Sequence, residues 1–134
     1  MDTDGFDGRV YFRLLAAVAA ADGEIRAAEV EKLGQLLDLT GADPSVAPAL
    51  CDEAMQMRPT PLHFLENFEL PERLARIYLR DALLVAFSDG SYSDEESKLM
   101  HDAAALLSAD AFLDDIEDWV RASRNLAARA AQLF

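Results

Sequence analysis

Two short segments carry carboxylates at a spacing that could hold a cation. The first is Ala21-Asp22-Gly23-Glu24-Ile25-Arg26-Ala27-Ala28-Glu29, and the second is Ser88-Asp89-Gly90-Ser91-Tyr92-Ser93-Asp94-Glu95-Glu96. Each reads Asp-Gly, an apolar residue two positions on, and Glu six after the Gly. Asp22 and Glu29 would meet across one turn, and Asp89 and Glu96 across the other. Two carboxylates about 4 Å apart repel by roughly 4 kcal/mol at an effective dielectric near 20. A cation, a shared proton or hydrogen bonds from a helix N-terminus must offset that. Hard divalent ions such as Ca2+ or Mg2+ prefer oxygen ligands completed by water. Asp22, Glu29, Asp89 and Glu96 are therefore the candidate metal ligands, with Glu24 and Asp94 as helpers. Neither turn holds His or Cys, which argues against structural zinc there.

The spacing is half of an EF-hand loop, in which acidic or amide ligands also occupy the first and third positions. Here those positions are Val18 and Ala20 in the first copy, and Val85 and Phe87 in the second. None can ligate, so a standard EF-hand is excluded. A structural role is the competing reading. An Asp before Gly stabilises its own turn by accepting from nearby N–H groups. Ser93 and Glu96 form a capping box. Arg26 occupies the matching cap position of the first copy and is a poor capper, which leaves Glu29 with less structural explanation than Glu96.

Helices must position these turns. Val10, Leu14, Ala17, Val18 and Ala21 recur at helical spacing, from about Phe6 onward, and Leu14 to Ala21 is apolar nearly all round. Gly23 ends this helix and Gly90 ends its counterpart, which begins near Pro71 and finishes in Leu83-Leu84-Val85-Ala86-Phe87. Val30, Leu33, Leu36 and Leu37 mark a second helix, about Ala27 to Leu39. Leu99, Met100, Ala103, Leu106 and Leu107 mark its counterpart after Ser93. The copies align without gaps at an offset of 67 residues, on the numbering of the chain. Asp43-Pro44 and Thr60-Pro61 are helix-start signals for a third helix and a short fourth between the copies. A last helix follows Asp110, with Phe112, Ile116, Trp119 and Val120 on its core face. No stretch alternates with period two for long enough to make a strand. The expectation is an all-α single domain over 1–134, a bundle of about seven helices. Repeat 1 spans about 6–39, an insertion about 40–70, repeat 2 about 71–107, and a C-terminal helix about 110–133.

The chain has 134 residues, 51% of them hydrophobic, and a net charge of −13. That charge repels phosphate backbones and anionic membranes and favours cations and basic protein patches. Its longest apolar run is too short for a bilayer span. An acidic N-terminus without a leader pattern gives a cytoplasmic expectation. The single cysteine, Cys51, reads as a packing residue. His63 and His101 lack ligand-like spacing, and His101 reads as a surface residue.

Ala19-Ala20-Ala21-Asp22-Gly23-Glu24-Ile25 with Glu29, repeated as Ala86-Phe87-Ser88-Asp89-Gly90-Ser91-Tyr92 with Glu96, resembles the tellurite-resistance TerB-like family. Related domains occur in some membrane-anchored DnaJ-like co-chaperones. The resemblance implies a helical fold of about seven helices, an acidic cation-binding site at the paired motifs, and a role in stress response. The leading function is a non-enzymatic helical stress-response module that binds a divalent cation and acts through protein partners. The alternative is a metal-free acidic scaffold docking a basic protein partner; a metal-dependent hydrolase ranks third, since no separate base or nucleophile is visible.

Overall fold

A computed structural model describes residues 7–57, 62–66 and 68–133. The described residues form six α-helices and no strands: α1 (Gly8–Ala20), α2 (Ala27–Leu39), α3 (Ala47–Gln56), α4 (Glu72–Ala86), α5 (Asp94–Leu106) and α6 (Asp110–Leu133). Two 3₁₀ turns, Pro44–Val46 and His63–Leu65, lie within the insertion between the copies. The all-α expectation holds, with six α-helices where about seven were expected. The fourth helix expected after Thr60-Pro61 is reduced to the His63–Leu65 turn. The start signal itself and Phe6 fall outside the described residues.

The apolar ends of α1 and α4 explain the centre of the fold. Leu14, Leu15 and every residue from Ala16 to Ala20 are buried, as are Leu79, Ala82, Leu83, Val85 and Ala86. A helix apolar on all sides needs neighbours on all sides. Accordingly α1 packs against α3, α4, α2 and α5, and α4 against α1, α6, α2 and α5. The alanines of α1 remove side-chain bulk and let these neighbours approach. Each fully buried Leu contributes on the order of 1.5–3 kcal/mol. Cys51 is buried as a packing residue.

The duplication is preserved in the backbone. α5 begins and ends 67 residues after α2, matching the sequence offset. Gly23 and Gly90 both adopt φ of 85°, a left-handed conformation that only glycine reaches without strain. Each donates its N–H to a carbonyl three residues back, Ala20 and Phe87, at 3.0 Å. Ile25 and Tyr92, two after each Gly, pack against the core. Trp119 departs from the expected core face of α6: it is 54% exposed. Phe112 and Ile116 are partly buried against the core. No helix among the described residues is long and apolar enough to cross a membrane.

A candidate cation site where the two turns meet

Each turn first satisfies its own backbone. Asp22 Oδ1 accepts from the Glu24 N–H at 3.1 Å, and Asp89 Oδ1 accepts from the Ser91 N–H at 3.0 Å. Glu29 Oε1 accepts from the Arg26 N–H at 3.0 Å, and Glu96 Oε1 accepts from the Ser93 N–H at 2.8 Å. Glu29 thus does carry a capping role, although Arg26 returns no side-chain cap. Only Ser93 closes the reciprocal bond, its hydroxyl accepting from the Glu96 N–H at 3.1 Å. These bonds engage one oxygen of each carboxylate and leave the other for whatever lies between the turns.

The turns lie side by side, because one guanidinium touches both. Arg26 Nη1 donates to Asp22 Oδ2 at 2.9 Å, and Arg26 Nε lies 3.0 Å from Asp89 Oδ2. The same group is 3.3 Å from Glu24 Oε2 and 3.9 Å from Glu29 Oε1. The C-terminal ends of α1 and α4 therefore converge, so that the charges of Asp22, Asp89 and Glu96 all act on Glu29, although among the described residues no three ligand oxygens of this acidic cluster lie within 4.8 Å of one another. Arg26 was visible in the sequence only as a weak cap. A lone basic residue inside a duplicated acidic motif was the signal for its role. Asp94, offered as a helper, starts α5 and forms no bond to this cluster among the described residues.

The electrostatics follow from burial and crowding. Glu29 is fully buried, and its Oε2 has no hydrogen-bond partner. Burial pushes its carboxyl up to about 8, reinforced by the charges of Glu96, Asp89 and Asp22 and only partly offset by the Arg26 N–H. Glu96, also buried, is raised by desolvation and by Asp22 and Asp89, against the hydrogen bonds from Ser93. Asp22 behaves oppositely: burial pushes it up, but the bonds from Arg26 and the Glu24 N–H outweigh that and lower it. One guanidinium faces four carboxylates counting Glu24, with Glu96 close by, so the cluster retains negative charge even with Arg26 in place. An orphaned, buried carboxylate oxygen amid such charge fits a hard divalent cation.

The family model described as "Tellurite resistance protein TerB" matches residues 10–117. The chain belongs to the TerB family. That match spans both turns and α1 through the first third of α6, so the paired acidic turns lie wholly inside the TerB region. The remainder of α6 extends beyond it. No curated protein and no solved structure gives a significant match.

Proposed function

We propose that this TerB-family chain is a non-enzymatic, cytoplasmic stress-response module. It takes a divalent cation, Ca2+ or Mg2+, where its two turns meet, and it acts through protein partners in a tellurite-resistance setting. The observation carrying this reading is the buried Oε2 of Glu29, left without a hydrogen bond beside Asp22, Asp89 and Glu96. An unpaired polar atom at such a site costs about 1–3 kcal/mol, and more if charged. A cation held by Asp22, Glu29, Asp89 and Glu96 would remove that cost.

Arg26 defines the competition. Its guanidinium serves as the built-in counter-charge of the metal-free state, and its side chain is one-third exposed, so it can withdraw toward solvent. A metal-free scaffold is the second reading, favoured by the fact that Arg26 already bridges Asp22 and Asp89. In that case the acidic face would dock a basic protein partner. The net charge of −13 supports basic over nucleic-acid partners in either reading.

Thermal unfolding in EDTA and in millimolar Ca2+ or Mg2+ separates the two. Ligand at a hundred times its Kd adds about 2.7 kcal/mol, which raises the Tm of a domain this size by roughly 10 °C. Superimposable melting curves would refute the cation reading. Partner binding that survives EDTA and weakens steeply with salt would support the scaffold.

A further inference from the structure

We propose that His101, Asp114 and Glu117 form a second metal site, for a zinc-class transition metal, where α5 packs on α6. The three residues place a ring nitrogen and two carboxylate oxygens within 4.8 Å of one another. Asp114 and Glu117 are three apart on α6 and share a face; His101 projects from α5. His101 and Asp114 are exposed, so their side chains can close on an ion, whereas Glu117 is buried and fixed.

The orientation of the imidazole is settled by its other nitrogen. His101 Nδ1 lies 2.8 Å from the Ser97 carbonyl oxygen. A carbonyl can only accept, so Nδ1 carries the proton, and in the neutral ring Nε2 presents its lone pair. Such a bond from the far nitrogen to a backbone carbonyl is the arrangement found behind metal-bound histidines. Nε2 faces Glu117 Oε1 at 3.9 Å. The Glu117 side chain is 9% exposed, and Oε1 is buried without a hydrogen-bond partner. Its other oxygen, Oε2, lies 3.8 Å from Arg121 Nη2. The Nε2 lone pair and a buried carboxylate oxygen thus face each other at 3.9 Å.

Mixed imidazole and carboxylate ligands suit Zn2+ and its neighbours, and Ca2+ and Mg2+ favour all-oxygen shells. Three protein ligands leave a position for water or for a side chain from a partner. This site shares no ligand with the acidic turns, although Tyr92 of the second turn neighbours Glu117, and its proposal stands whether or not those turns take Ca2+.

The test is titration of the full chain with Co2+, followed by visible absorption, and with Zn2+ in competition with a chromophoric chelator. With the acidic turns saturated by excess Ca2+, wild type should take up one equivalent, with Co2+ bands in the visible. His101→Asn and Glu117→Gln should each weaken Zn2+ binding by about tenfold or more. His63→Asn should leave it unchanged. Circular dichroism verifies the fold of each variant, and the exposed His101 makes that substitution structurally mild. Absence of saturable Zn2+ binding in wild type would overturn the proposal. Binding that persists in His101→Asn, or that Glu29→Gln alone abolishes, would overturn it equally.

Discussion

Replacing Glu29 by Gln tests the electrostatics of the turn cluster without disturbing its geometry. The Gln side-chain oxygen can still accept from the Arg26 N–H, so the cap is kept while the buried charge is lost. Below pH about 4.5, the ordinary value, Glu29 is protonated in both folded and unfolded chains and imposes no penalty. As pH rises the unfolded chain ionises first, and the folded chain follows only near pH 8. Stability therefore falls across that window. One proton of difference corresponds to about 1.4 kcal/mol per pH unit. Between pH 5 and 7 the wild type should lose about 3 kcal/mol from Glu29. Glu96, raised by the same cause, adds to the loss in the same direction. Asp22 titrates lower and acts at more acidic pH. The assay is reversible urea unfolding in EDTA at half-unit steps from pH 5 to 8, comparing midpoints at constant m-value. Glu29→Gln should show a shallower slope and be the more stable protein at pH 7. A wild-type profile that is flat or rises over this range, or a variant with an unchanged slope, would refute the reasoning.

Arg26→Ser gives the first turn the cap of the second. It should unfold at lower temperature in EDTA, because the guanidinium bridging Asp22 and Asp89 is gone, yet gain more than wild type from Ca2+ or Mg2+; calorimetric melts with and without metal decide this. Tyr11→Phe removes the 2.6 Å hydrogen bond to the buried Asp81, whose other oxygen faces Arg80 Nε at 2.9 Å. A hydrogen bond to a charged group is worth about 1.5–3 kcal/mol, so urea titration should show a loss of that order. Gly90→Ala meets only Arg124 Nη2, at 3.9 Å, so space is not the obstacle. Its cost should be the left-handed backbone alone, about 1–2 kcal/mol in the same assay.

Much of this architecture is written in local patterns. The capping residues before Glu96 and the left-handed glycines at 23 and 90 marked the ends of α1, α4 and the start of α5, because these depend on neighbours within a few positions. The all-round apolar ends of α1 and α4 marked the buried centre for the same reason. The insertion was harder: Leu62, Leu65 and Phe68 have helical spacing, yet among the described residues only His63–Leu65 turns, closed by bonds three residues back, and packing against the core holds the segment. Trp119 lies at a core spacing on α6, but that helix is covered on one side only, so its periodicity could not distinguish rim from interior. The convergence of the two turns was not legible, because it depends on how α1 and α4 lie against each other. Arg26 reached across that junction to Asp89, a contact between residues far apart in sequence. The burial of Glu29 followed from the same packing.

The central claim is that the two acidic turns form one site that accepts a divalent cation. Anomalous diffraction from crystals grown with Mn2+, as a stand-in for Mg2+ or Ca2+, tests it most directly. A peak is expected bounded by Asp22, Glu29, Asp89 and Glu96, with the Arg26 guanidinium displaced from between Asp22 and Asp89. Arg26 still bridging those two residues, with no peak among the four carboxylates, would contradict it.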